Sequence, residues 1–192
     1  MVPVTRDFQS DTPLPAKTLA HLSEIFGRDW PSPEKLHHRS RQVAIYLESA
    51  KESVAHFLAI EPAELEIIGG TSTALSLGIS GLLTDSATHF YFGATDRRTS
   101  GAAATLFEKR GGKTTRLESD VTGQITYSNI SASSAATAWQ SVNRETGVIQ
   151  QSSPETGPLC ADMTCGPFAQ LPARWDTAIW EPASWGGPRG IG

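Results

Sequence analysis

The chain has 192 residues, a formal net charge of −4, 39% hydrophobic residues and 19% charged residues. That is room for one domain with a real core. The 17 glycines and 12 prolines are near ordinary usage, which excludes collagen and wholesale disorder. The acidic balance and the lack of a basic stripe argue against a nucleic-acid surface. The densest basic patch, His37, His38, Arg39 and Arg41, reads as the polar face of a helix.

No apolar run reaches the roughly 20 residues of a membrane span. The start, Met1-Val-Pro-Val-Thr-Arg-Asp7, lacks the charged-then-apolar pattern of a signal peptide. A cytoplasmic protein without membrane contact is the expectation. Cys160 and Cys165 are too few for a disulfide scaffold and lack the paired spacing of a zinc site, so no metal is expected.

In chain order, a Pro-rich lead, Asp11-Thr-Pro-Leu-Pro15, precedes a short helix over Ala16 to Phe26 with Leu19, Leu22, Ile25 and Phe26 at helical spacing. Gly27 stands at its natural stop. Asp29-Trp-Pro-Ser-Pro33 is a loop. A longer helix follows from about Glu34 to Leu58, with Leu36, Val43, Leu47, Ala50, Val54, Phe57 and Leu58 as its apolar face. Leu65-Glu-Ile-Ile68 reads as a strand, Gly69-Gly-Thr-Ser-Thr73 as a turn, and Ala74 to Leu83 as an apolar helix. A strand over Thr88 to Phe92 leads to a small-residue helix, Ser100 to Arg110. Thr114 to Leu117 is a strand and Asp120-Val-Thr-Gly123 a turn. The Ser/Ala-rich run Ser131 to Ala138 is a surface helix or a linker. Trp139 to Val142, Leu159 to Ala161 and Ala178 to Trp180 are short strands. Strands alternating with helices predict an α/β fold, a mostly parallel sheet flanked by helices.

Gly69-Gly-Thr71 places backbone N–H groups and a hydroxyl at a helix N-terminus, which reads either as a glycine turn needed for tight strand-to-helix geometry or as a site for phosphate or a small anion around Gly70 and Thr71. It is neither GxGxxG nor a P-loop, because no lysine follows. The stretches Pro31-Ser-Pro-Glu-Lys-Leu-His-His-Arg-Ser-Arg41, Glu66-Ile-Ile-Gly-Gly-Thr71, Val142-Asn-Arg-Glu-Thr-Gly-Val-Ile-Gln150, Cys160-Ala-Asp162 and Gly186-Gly-Pro-Arg-Gly-Ile-Gly192 occur in succession. Together they resemble the cysteine desulfurases, in the class V aminotransferase family of pyridoxal-phosphate enzymes. The resemblance runs from about Asp7 to Gly192, with a shortened stretch between Gln151 and Leu159.

The resemblance implies the large domain of a fold-type-I enzyme over residues 1–192, normally in a homodimer, with the family's C-terminal small domain absent. It also implies pyridoxal phosphate held as an imine on a lysine three residues before the Gly-Pro pair. Here that position is Ser184. The five lysines are Lys17, Lys35, Lys51, Lys109 and Lys113, so none follows Lys113. A hydroxyl forms no imine and is a poor proton shuttle at neutral pH.

The family pattern also puts a Ser and a His before the lysine; here these are Glu181 and Ala183. A glutamate beside a phosphate dianion is repelled by roughly 1 to 4 kcal/mol per charge pair at about 4 Å. The ring-stacking His aligns with Arg97, whose guanidinium can also stack. Asn143 opens the N-x-E-T-G-V stretch, the Asn expected at the ring oxygen falls on Arg144, and the usual Gln after the aspartate falls near Cys165. Thr71 remains suited to a phosphate, and Asp162 to a protonated pyridine nitrogen or to a purely structural strand-end role. Neither cysteine matches the mobile-loop nucleophile.

The first expectation is therefore a pseudoenzyme: no catalytic residue, a vestigial cofactor site, and a role in binding a second copy or a related partner protein. The alternative is an enzyme of the same class that binds pyridoxal phosphate non-covalently or is completed by another chain. A third reading makes Arg97, Arg98 and Arg144 with Glu145 a new anion site.

Overall fold

The computed structural model describes residues 13–28, 31–84, 86–128, 130, 135–165, 172–188 and 190–192. The chain divides into two compact units, one over Leu14–Ile67 and one over Ile68–Gly192 with the chain start. The helical unit holds α1 (Ala16–Arg28) and α2 (His38–Leu58), then a 3-10 turn at Pro62–Glu64. Helix α2 starts four residues later than its periodicity predicts, because residues 33–37 form turns and bends and His37 caps the helix, its Nδ1 accepting from the Ser40 N–H at 3.3 Å. It ends on Ala59, which adopts left-handed backbone with φ 55° so that its N–H and that of Ile60 reach back to His56 and Ala55. Only Ser40, Ala55 and Leu58 of this helix are buried. The expected apolar face is thus mostly open: Leu36, Leu47, Val54 and Phe57 are exposed.

The second unit carries α3 (Thr71–Leu82), β1 (His89–Gly93), α4 (Arg98–Lys109), β2 (Lys113–Leu117), β3 (Ala135–Gln140), β4 (Leu159–Asp162) and β5 (Thr177–Ile179). The strands form one sheet in the order β2-β1-β3-β4-β5, parallel throughout, with Phe90 opposite Thr114, Tyr91 opposite Thr137, Ala138 opposite Cys160 and Ala161 opposite Ala178. The expected α/β architecture is the observed one.

Side-chain alternation sends each strand's residues into two cores. On one face Phe90, Ala136, Ala138, Cys160 and Ile179 pack with Ala74, Leu75 and Ile79 of α3 and Ala104 and Phe107 of α4. On the other, Ala135, Trp139, Leu159 and Ala161 pack with Ile125, Tyr127, Ile130 and Met163. Both faces being covered, β3 and β4 are buried at every position, as central parallel strands are. Each large apolar side chain placed there contributes about 1.5–3 kcal/mol.

Two expectations are corrected here. Leu65–Ile68 forms no strand; Ile68 instead exchanges backbone hydrogen bonds with Gly192, N–H to O at 2.7 Å and back at 2.9 Å. The Ser/Ala-rich run is neither surface helix nor linker over its second half, which is the fully buried β3. Ser131 to Ser134 lie outside the described residues, as do Asp29, Trp30, Arg189 and the lead through Thr12. The strand expected over Trp139 to Val142 is the end of β3, and Val142 leaves the sheet to pair singly with Ile149. The Asp120 turn forms as expected: its Oδ1 accepts from the N–H groups of Thr122 and Gln124 and from the Thr122 hydroxyl.

Candidate functional site

Strand order reverses between β1 and β3, and in open parallel sheets ligands bind beyond the carboxyl ends of the strands at such a switch. The strand ends bring the sequence-predicted residues here: Arg97 after β1, Asn143 after β3, Asp162 closing β4, and Glu181, Ala183 and Ser184 after β5.

The β1 end is shaped by close approach. A side chain on Gly93 would overlap Ile125 and the Asp96 carboxylate, so the turn tightens and the Gly93 N–H donates to Asp96 Oδ2 at 2.8 Å. Asp96 Oδ1 is buried without a partner. Burial is the main cause that pushes this carboxyl up to about 7, the Gly93 N–H opposes it, and the Asp162 charge adds to it. The nearby Tyr127 hydroxyl is also buried and unpartnered; burial and then the Asp96 charge hold its pKa well above the usual phenol value.

Arg97 reaches across the strand ends. Its Nε lies 3.2 Å from Asp162 Oδ2 but off the axis of a hydrogen bond. Its Nη2 donates to Thr164 Oγ1 at 2.5 Å and stands 3.9 Å from both Glu181 Oε2 and Cys165 Sγ. Asp162 is 6% exposed. Its Oδ1 accepts from the Thr164 N–H at 3.0 Å and the Thr164 hydroxyl at 2.5 Å, and its Oδ2 from Gln140 Nε2 at 3.5 Å. Three of the chain's own donors are therefore directed at this carboxylate, and Arg97 Nε stands beside Oδ2 without a hydrogen bond.

Asn143 does different work. Its Nδ2 donates to Thr95 O at 2.6 Å and Gln140 Oε1 at 3.0 Å. Its Oδ1 accepts from the N–H groups of Glu145 and Thr146 and the Thr146 hydroxyl. It ties the β1 loop to the β3 loop. Arg144 and Arg98 are exposed, while Arg97 is turned into the carboxylates; the three arginines face different surroundings.

At the other end of the site, Gly70 takes φ 119° to open α3, and Thr71 is buried. The backbone at Gly192 packs against this first turn, where an added Cβ would come within 3.0 Å of Thr71 Cα. Ser184 sits in a 3-10 turn, Pro182–Trp185, and its hydroxyl donates to the Glu181 carbonyl at 2.8 Å. Lys109 ends α4 and Lys113 begins β2, which places both lysines of this unit at the sheet edge opposite the site. With an alcohol at Ser184, no lysine at the carboxyl ends of the strands and Arg97 and Thr164 already on Asp162, the residues present do not fit a pyridoxal phosphate held as an imine.

The residues that the motifs did not single out are Asp96, Gln140 and Thr164. Asp162-Met-Thr164 is a readable signal, since an aspartate two residues before an N–H and hydroxyl donor closes such a turn locally. Among the described residues, no group of three His, Cys, Asp or Glu side chains is placed to hold a metal. Cys160 is buried in β4, and burial pushes its thiol well above its ordinary pKa. A separate open cleft of about 420 Å³ is lined by Trp139, Gln150, Ser152 and Pro172 among others; none of the strand-end residues lines it.

The chain matches no family model and no curated protein. Solved structures do match its fold. A structure of SspA in complex with cysteine is 19% identical with a TM-score of 0.82, over 96% of this chain and 58% of its own. A NifS-like protein is 14% identical with a TM-score of 0.81, over 96% and 56%. An apo cysteine desulfurase from Thermococcus onnurineus is 17% identical with a TM-score of 0.79, over 96% and 51%. The architecture is therefore that of part of the cysteine desulfurase fold, and the chain spans little more than half the length of these neighbours.

Proposed function

We propose that residues 1–192 form one desulfurase-like module that has kept the scaffold and set aside the chemistry, and that it works by binding: to a second copy of itself, to a related partner protein, or to a small anion at Gly70 and Thr71. The observation that carries this reading is Ser184, an alcohol where the family resemblance requires an amine, with its hydrogen spent on the Glu181 carbonyl. Glu181 and Ala183 support it, since they replace the residues that would help hold a phosphate. The cytoplasm is the proposed location; no described helix is long and apolar enough to cross a membrane.

The test is direct. Purified protein mixed with pyridoxal phosphate is expected to give no imine absorbance band, borohydride to trap no covalent adduct, and cysteine not to be turned over to alanine. A trapped adduct on any lysine overturns the reading.

A second reading has one observation in its favour: Thr71 and Asp162 are both retained. In that reading pyridoxal phosphate is held non-covalently, or another chain supplies the lysine. Weak cofactor uptake that Asp162→Ala abolishes is the result that favours it.

A further inference from the structure

The strand-end cluster holds two carboxylates, Asp162 and Glu181, around one guanidinium. Both side chains are largely withdrawn from water, 8% and 14% exposed, as is that of Arg97 at 15%. Uncompensated, two such charges are costly. An anion approaching Arg97 therefore meets a net negative surround, whereas a cation meets attraction. The polar atoms are arranged around a flat group: Asp162 Oδ2 on Nε, Thr164 Oγ1 and Glu181 Oε2 on Nη2, and Cys165 Sγ at 3.9 Å. The Thr164 hydroxyl accepts from Arg97 and passes its own hydrogen to Asp162 Oδ1, so it couples cation to carboxylate. Asp96, the neighbouring carboxyl, feels the Asp162 charge, which fits a cluster carrying more negative charge than Arg97 cancels.

We infer that Asp162, Glu181 and Thr164 form a binding site for a planar nitrogen cation of the guanidinium type, and that its resident occupant is the chain's own Arg97. The site is closed to an added ligand while Arg97 is present and opens when that side chain is cut back. The cation keeps the carboxylates paired without any added group. The inference shares residues with the proposed function but has a separate outcome: a cofactor adduct would defeat that proposal and leave the cation site standing.

Arg97→Ala tests it by thermal unfolding near pH 7.5. Leaving Asp162 buried and unpaired is expected to lower the midpoint by on the order of 10 °C. Millimolar ethylguanidinium is expected to return a substantial part of that loss, by binding only the folded variant, while the same concentration of tetramethylammonium returns none and the unaltered protein stays within about 1 °C of its own midpoint. An unchanged midpoint in Arg97→Ala, absence of rescue, or equal gain in the unaltered protein overturns the inference. If Arg97→Ala does not fold, Arg97→Leu is compared with Arg97→Leu/Asp162→Asn. The double variant is expected to be the more stable, because removing the stranded charge relieves its cost; further loss in the double variant overturns the inference.

Discussion

Two polar groups sit side by side at the carboxyl ends of the same strands and are built on opposite terms. The Asn143 turn is complete: one buried amide makes five hydrogen bonds, and each partner is a backbone group or a neutral side chain. The Arg97 cluster is charged and incomplete, with an ion pair that makes no hydrogen bond at Nε and, beside it, a buried Asp96 oxygen and a buried Tyr127 hydroxyl without partners. Buried polar groups are normally satisfied. The turn has the economy of a device that only holds the fold. The cluster leaves buried polar atoms without hydrogen bonds, and departures of that kind from local rules are expected at functional or strained sites.

The comparison breaks first at Asn143. Asn143→Ala removes all five bonds and strands the buried Gln140 amide and the Thr95 carbonyl, and is expected to cost about 3 kcal/mol or more in denaturant unfolding. A loss below about 1 kcal/mol would mean that the turn does not anchor the β1 and β3 loops together.

Asp96 sharpens it from the other side. Its folded pKa, about 7, lies above the ordinary aspartate value of 3.8, so between those values the folded state binds the extra proton. By linkage, stability is full below about pH 4, falls as pH rises toward 7, and stays reduced above it. Asp96→Asn keeps an acceptor for the Gly93 N–H and removes the charge. It is expected to stabilise the protein by on the order of 1–4 kcal/mol at pH 8 and to change little at pH 4. A variant whose stability runs parallel to the parent across that range would show that Asp96 is not the group responsible. Arg97, Asp162 and Tyr127 face the same place, so the pH profile of Asp96→Asn is best read together with that of Asp162→Asn.

The same contrast explains what could be read along the chain. The β1 stretch, His89-Phe-Tyr-Phe-Gly93, alternates large side chains between two cores, and so does β4; such patterns are visible locally. The buried strand β3 begins Ala-Ala-Thr-Ala, which carries almost no β-branched or aromatic signal. Its identity comes from tertiary context, where α3 and α4 pack over Ala136 and Ala138 and small side chains fit. Leu65–Ile68 errs the other way. Its apolar residues look like a strand, yet the partner of Ile68 is Gly192, far along the chain, and no ladder follows. In the site, the motif order locates Asp162 and Glu181, whose side chains both reach Arg97, and Ser184, whose hydroxyl stays within its own turn. That Arg97 would turn onto Asp162, or that one oxygen of Asp96 would be sealed without a partner, depends on how four separate strand ends converge. Single residues do not encode that.

Ser184 gives the smallest effect and the sharpest statement about the site. Its hydroxyl is exposed and bonds a carbonyl three residues back within its own 3-10 turn, so it touches neither Asp162 nor Arg97. Ser184→Ala is therefore expected to shift stability by less than about 0.5 kcal/mol. Ser184→Lys is expected to be as mild, since the longer side chain projects from the same exposed turn. The lysine variant alone is also expected to trap no cofactor with borohydride, because an amine there restores one contact while Arg97 still occupies Asp162 and Glu181 still opposes a phosphate. An adduct in Ser184→Lys would show that one substitution separates this chain from an imine-forming site, and that the Arg97 pairing yields to a competitor. Its absence in the single variant, with appearance once Arg97→His and Glu181→Ser are added, would place the barrier in the charge arrangement and not in the missing amine alone.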